Sequence, residues 1–281
     1  MNDNNTKILK VSGKKIDDFL QNLITNDITK LEQEKSIYTC VLTPQGKFLN
    51  DFFLVKKNNS FYVEINNNEI TNFKNLLNQY DLRKQFDIQE ENNLKTFVCL
   101  KKDFAYFKDK LLTKKHNTLE IFESFKDPRD KSFLVRLWIK HGDNQKPLNL
   151  YEKSYNLEIE QERIKRLIPN SNFDLERNKS FILQFRFDEI NAISFDKGCY
   201  VGQENTARQK YRGKQKYKLT LLNLLEGDFP AFNTELKYLE KKIGVMKSHL
   251  GKHGMALVKT EIDVLNEKFY KIPPMSKVVI N

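Results

Sequence analysis

The sequence predicts a mixed α+β chain closed by an all-β C-terminal part, and three observations carry that expectation. Apolar residues recur at helical spacing around residues 16–24 and 70–80, with β-rich runs between and after them. A similar order of strand, helix and strand partly recurs between residues 96 and 139, and beyond Gly213 only short β-like runs parted by Gly, Pro or Asn remain. With 281 residues, 39% of them hydrophobic and including 21 Phe and 11 Tyr, the chain can bury a sizeable core in two or three packed subdomains.

The elements follow in order. Ile16, Phe19, Leu20, Leu23 and Ile24 form a helical stripe, with Asp17 and Asp18 in the first turn where the helix dipole favours acids. Residues 36–42 and 47–55 read as a hairpin joined by Thr43-Pro44-Gln45-Gly46, because Pro fixes φ and Gly accepts positive φ. A strand at 61–65, a helix marked by Ile70, Phe73, Leu76, Leu77 and Tyr80, and a short strand at 86–88 complete the first part. After the polar break at 89–93 come a strand at 96–100, a helix at 103–112 and strands near 119–122 and 133–139. Residues 148–167 are helical in pattern, and Pro169 closes them. Six short strands, at 217–224, 235–239, 243–248, 255–260, 269–272 and 277–280, then suggest a small barrel or sandwich. The expected boundaries are 1–90, 91–213 and 214–281.

Composition narrows the function classes. No run approaches the roughly 18 apolar residues that span a bilayer, and Met1-Asn2-Asp3-Asn4-Asn5 lacks the basic and apolar regions of a secretory signal, so the expected location is cytoplasmic. Cys40, Cys99 and Cys199 have no CxxC spacing, and His116, His141, His249 and His253 form no paired ligand pattern, so no structural metal is expected. The net charge of +11 favours anionic partners, although scattered Lys on a solvated surface explains most of it.

Asp196-Lys197-Gly198-Cys199-Tyr200-Val201-Gly202-Gln203-Glu204 resembles the KGCYxGQE signature of YgfZ-type proteins, relatives of the glycine-cleavage T protein. Residues 19–27 are similar to that family's FLQGxxTND and residues 42–51 to its LTPQGKxxxD; Leu82-Arg83-Lys84, Asp127-Pro128-Arg129, Arg163-Ile164 and residues 244–257 extend the likeness over nearly the whole chain. The resemblance implies two ferredoxin-like N-terminal subdomains and a small C-terminal β-barrel around a central channel that takes tetrahydrofolate or a derivative. It also implies support for assembly or repair of iron–sulfur enzymes and for tRNA thiomodification. The chain departs from the pattern at Leu167, where Gly is usual, in the Pro-less loop 183–188, and at Asn50-Asp51, where the aminomethyltransferases carry two acids.

Asp51 interrupts an apolar strand, and a carboxylate there needs a partner or a ligand: a pterin's amino-pyrimidine edge, or a lysine or arginine of the protein. By the resemblance Asn26 and Asp27 line the channel, while Asn and Asp are also commonplace turn formers. Arg163 suits the glutamate carboxylate of a folate tail, or a salt bridge with Glu160 or Glu162. Cys199, between glycines and beside Lys197, is the candidate reactive thiol. Lys197, Tyr200, Gln203 and Glu204 join the cofactor-binding set through the signature. If the following segment is extended, Arg208, Lys210, Arg212, Lys214, Lys216 and Lys218 project from one face about 6.6 Å apart, a spacing suited to the phosphates of tRNA or another polyanion. The competing functions are a tetrahydrofolate-dependent aminomethyltransferase and an RNA-binding protein without folate.

Overall fold

The computed structural model describes residues 5–112, 120–140, 153–213, 215–238, 240–261, 270–272 and 276–280. The chain divides into two compact units built from separate stretches: Met1–Val41, Asn50–Asn156 and Ile190–Val201 in the first, Leu42–Leu49, Leu157–Glu189 and Gly202–Asn281 in the second.

The first unit contains two sheets. Strands β1 (Thr6–Gly13), β2 (Ile37–Leu42), β3 (Phe48–Lys57), β4 (Ser60–Asn66) and β5 (Phe86–Glu90) form a sheet in the order β2-β3-β4-β1-β5. Helix α1 (Ile16–Leu23) buries Ile16, Leu20 and Leu23, the i, i+4, i+7 positions of its stripe. Helix α2 (Ile70–Tyr80) buries Ile70, Phe73, Leu76 and Leu77, and the Phe73 ring meets Phe52 of β3 edge-on at 5.0 Å. Strands β6 (Leu94–Leu100), β7 (Glu120–Lys126) and β8 (Leu134–Lys140) form the second sheet in the order β6-β8-β7, backed by helix α3 (Phe104–Leu112) through Phe97, Cys99, Phe107 and Leu137.

Strand β1 is a finding the sequence pattern did not deliver. Lys7 and Lys10 break its alternation, yet β1 is an inner strand, antiparallel to β4 with Leu9 opposite Val63 and to β5 with Val11 opposite Ile88.

Helix α4 (Lys153–Lys165) leads into the second unit, and residues 148–152 of the expected helix lie outside the described residues. Helix α5 (Gln203–Tyr211) precedes the C-terminal strands β9 (Tyr217–Glu226), β10 (Glu235–Tyr238), β11 (Lys241–Leu250), β12 (His253–Lys259), β13 (Tyr270–Ile272) and β14 (Ser276–Ile280). All six join one sheet, ordered β10-β11-β12-β9-β14-β13, over a core of Leu222, Leu236, Met246, Ala256 and Val278. No helix among the described residues is long and apolar enough to cross a membrane.

Candidate functional site

Asp51 stands out locally. Strand β3 buries Phe48, Leu49, Asn50, Phe52, Phe53, Leu54 and Val55, and Asp51 alone within that run is only half-buried. On the neighbouring strand the Tyr38 hydroxyl donates to Asp51 Oδ2. Burial, then the Asp51 charge, holds the Tyr38 phenol well above its usual pKa, so it remains a proton donor.

A chain of charges backs this pair. The Arg129 guanidinium lies 5.2 Å from the Tyr38 ring centroid and 4.9 Å from that of Phe53, and Asp127 grips it through Nε at 3.0 Å and Nη2 at 2.7 Å. Asp127 also accepts from Arg136 Nε at 3.2 Å; Arg136 pairs with Glu64, whose other oxygen accepts from the Trp138 indole at 2.6 Å. Burial opposes these charges, but the cations Arg129 and Arg136 carry the Asp127 carboxyl below its usual value. Burial likewise works against the Arg129 cation, and Asp127 outweighs it and raises that pKa.

The loop 190–201 is tied to the end of α1. Lys197 is buried and its ammonium donates to the carbonyls of Gln21 at 2.6 Å, Ile24 at 2.7 Å and Asn26 at 2.9 Å. Burial pulls its pKa down to about 8, which leaves it protonated at neutral pH. These three bonds use all its N–H donors, so Lys197 serves as a latch on the α1 terminus. Asn26, also buried, donates to the carbonyls of Tyr38 at 2.8 Å and Asn191 at 2.7 Å, and accepts from Lys30 and from the Asp27 amide. Asp27 accepts from Gln21 Nε2 at 2.9 Å and from the Thr29 amide at 3.0 Å and hydroxyl at 2.8 Å. Burial alone would raise its pKa, but these Thr29 and Gln21 bonds lower it. The resemblance places Asn26, Asp27 and Lys197 on a ligand, with turn formation the other reading of Asn26 and Asp27; the geometry gives each a defined role in holding the backbone. Tyr200 is buried with the Lys197 ammonium 5.1 Å from its ring, and Cys199 is exposed, whereas Cys40 and Cys99 are buried.

In the second unit Gly202 opens α5 with φ +83°, and a Cβ there would meet the Thr43 carbonyl at 2.5 Å and Leu42 Cβ at 2.9 Å. Gly202→Ala is therefore expected to cost about 1–3 kcal/mol in a urea melt, through strain and collision together. Gln203 is half-buried and Glu204 exposed in the first turn of α5. Arg163 does not offer a free guanidinium. It is buried, bonded through Nε to Glu160 at 2.9 Å, to the Ile168 carbonyl and, at 3.5 Å, to Asp174, so the salt-bridge alternative describes its position.

The extended basic strip requires correction. Arg208 and Lys210 lie on α5, where residues two apart point about 200° away from each other, so the alternating charges do not share a face. Arg212 sits at the C-cap, Lys210 pairs with Asp188 at 2.7 Å, Lys216 precedes β9, and Lys218 pairs with Glu189 at 3.0 Å. Lys214 lies outside the described residues.

Tyr38, Glu64, Arg129 and Arg136 are site residues the sequence reading passed over. The signal was present: Glu64 in Phe61-Tyr62-Val63-Glu64-Ile65 and Arg136 in Leu134-Val135-Arg136-Leu137-Trp138 are lone opposite charges in apolar strands, a pattern that calls for a partner. Asn50, at the position of the second acid, is buried and donates to Glu69 Oε2 at 2.8 Å. Among the described residues no group of three or more His, Cys, Asp or Glu could hold a metal ion.

Comparison with known proteins agrees with the coarse outline. The chain is similar to the mitochondrial iron–sulfur cluster assembly factor IBA57 homologue of Neurospora crassa, 28% identical over 254 residues covering 84% of this chain and 57% of that one. It is similar as well to the IBA57 homologue of Dictyostelium discoideum, 26% identical over 239 residues, 73% of this chain and 58% of that one. The chain thus spans a little over half the length of these curated relatives. The cytoplasmic expectation is corrected here: both relatives are named as mitochondrial, and features that exclude export do not test import into an organelle. In fold the chain is similar to glycine cleavage system aminomethyltransferase T from Bartonella henselae, with a TM-score of 0.73 and 14% identity over 98% of this chain and 82% of that one. Residues 3–98 match the GCVT N-terminal domain, and the chain has the fold of aminomethyltransferase T.

Proposed function

We propose that this chain binds a reduced folate, tetrahydrofolate or a derivative, and supports the assembly or repair of iron–sulfur enzymes, those that thiomodify tRNA among them. The observation that carries the folate half is the half-exposed Asp51 carboxylate, steadied by Tyr38 in an otherwise buried strand of a GCVT N-terminal domain. The residues suit such a ligand. A carboxylate can accept from more than one donor at once, and a pterin's amino-pyrimidine edge presents paired N–H donors. A bound reduced folate would supply a carrier for one-carbon units. Asp51 would orient it, Tyr38 would hold Asp51 in place, and Arg129 would fix the ring wall formed by Tyr38 and Phe53.

The iron–sulfur half is supported by the names of the similar proteins and by the exposed Cys199 thiol. Asn50 counts against aminomethyl transfer, because the amide that replaces a second acid is committed to Glu69.

Calorimetric titration with tetrahydrofolate is expected to saturate in the micromolar range. Asp51→Asn should weaken binding at least about tenfold, the loss of one charge-assisted pair of hydrogen bonds. Absence of saturation at millimolar ligand would remove the folate reading. In cells depleted of their own factor of this kind, the chain should restore iron–sulfur enzyme activity; Cys199→Ala should abolish that support while sparing folate affinity. Full support from the Ala variant would defeat the role given to the thiol.

A further inference from the structure

An open cavity lies within the first unit. It is a hollow of about 550 Å³, within the range of about 300–1,000 Å³ typical of small-molecule sites. Its lining is apolar at Phe104 and Val135, which pack in one cluster on the α3 face of the sheet, and its rim carries Lys35, Lys101, Lys126 and Lys131 against a single acid, Glu34.

The charges of the rim are not all spent. Lys131 pairs with Glu34 at 2.7 Å and Lys35 with Glu123 at 3.4 Å, but among the described residues Lys101 and Lys126 have no acidic partner. Both are exposed and sit at strand ends, Lys101 directly after β6 and Lys126 closing β7, so their ammonium groups are available to an incoming anion. The apolar floor is backed by the core: Val135 is buried in one cluster with Phe97, Phe107 and Leu137, and Phe104 packs against it. An apolar floor under unpaired cations fits a ligand with an aromatic or short acyl body and an anionic head. Neither a bare anion nor a neutral hydrophobe uses both features.

We infer that this cavity is a binding site for a small amphipathic anion, an aromatic or acyl group bearing a phosphate, sulfonate or carboxylate, seated on Phe104 and Val135 with its head between Lys101 and Lys126. It stands independently of the folate reading.

The test uses 8-anilinonaphthalene-1-sulfonate as the probe and N-phenyl-1-naphthylamine as its uncharged counterpart, titrated into the full chain by fluorescence. Saturable binding of the sulfonate is expected, weakened at least about tenfold in Lys101→Gln/Lys126→Gln and by added salt, with the uncharged probe alike in both proteins. Lys237→Gln/Lys252→Gln, two exposed lysines of the second unit, removes the same net charge and should leave the sulfonate affinity unchanged. Ser124→Trp, which fills the cavity from its wall, should abolish binding of the sulfonate. Equal weakening by the control pair, or unchanged affinity in the Lys101/Lys126 pair, overturns the site. Tetrahydrofolate affinity should be the same in Lys101→Gln/Lys126→Gln as in the parent; a parallel fall would make the cavity part of the folate site and overturn a separate ligand. Failure of tetrahydrofolate to bind any of these proteins would count against the folate reading alone.

Discussion

Replacing Arg136 with methionine is expected to lower stability by about 3–5 kcal/mol, the typical cost of stranding a buried partner charge. Arg136 joins Glu64 of β4 to Asp127, and both acids are almost wholly inaccessible, with side-chain exposures of 0% and 1%. Without the guanidinium, Glu64 loses its arginine partner and keeps the Trp138 indole, and Asp127 keeps Arg129. The double variant Glu64→Gln/Arg136→Met deletes both charges while leaving an acceptor for the indole, and should recover at least about 2 kcal/mol of the loss. Urea melts of the three proteins make the comparison, and a cost below about 1 kcal/mol for Arg136→Met would show that the network does not hold the sheets. The same network sets an acid limit. Asp127 is held below its usual pKa in the folded state, so its contribution is complete above the unfolded value near 3.8 and is lost as pH falls through and below it. The parent should therefore lose stability between about pH 5 and 3 more steeply than Asp127→Asn does.

The second large effect is expected at Lys197. Methionine there has nearly the same length but leaves the Gln21, Ile24 and Asn26 carbonyls without their donor, at a cost of about 2–4 kcal/mol. The consequence reaches the candidate site through a traceable route. The Asn26 carbonyl accepts from Lys197, the Asn26 amide holds the Tyr38 backbone, and the Tyr38 hydroxyl holds Asp51. Lys197→Met should thus weaken tetrahydrofolate binding as well as folding, even under conditions where the variant is fully folded. A variant as stable as the parent would show that the latch is dispensable. A destabilised variant with intact ligand affinity would separate the latch from Asp51.

How far the sequence is legible depends on the range of the forces involved. Helices α1 and α2 and the β2–β3 hairpin could be read because their signals are local: an apolar stripe, acids in the first turn, and a Pro-Gly turn. Strand β1 escaped because an inner strand takes its stability from β4 and β5, not from its own alternation. Helix α5 escaped because cations at every second position suggested a strand, while its boundary residues, Gly202 at the N-cap and Gly213 just past the end, are as common in turns as at helix ends. Asp51 could be found as the polar break in an apolar run. Its companions could not be assigned to it, since Glu64 and Arg136 are 72 residues apart and meet only once two sheets are built. The Arg163 bridge to Glu160 was open to reading because its partner is three residues away, whereas the Lys197 latch was not, because its acceptors are backbone carbonyls that every residue carries and only the fold selects.

A crystal structure of the chain with tetrahydrofolate tests the central claim most directly. The expected result is a pterin ring hydrogen-bonded to Asp51 beside Tyr38, and no bound ligand in crystals of Asp51→Asn under the same soak. Ligand density only elsewhere, whether on the lysine-rimmed cavity or on the surface, with Asp51 left untouched, would contradict it.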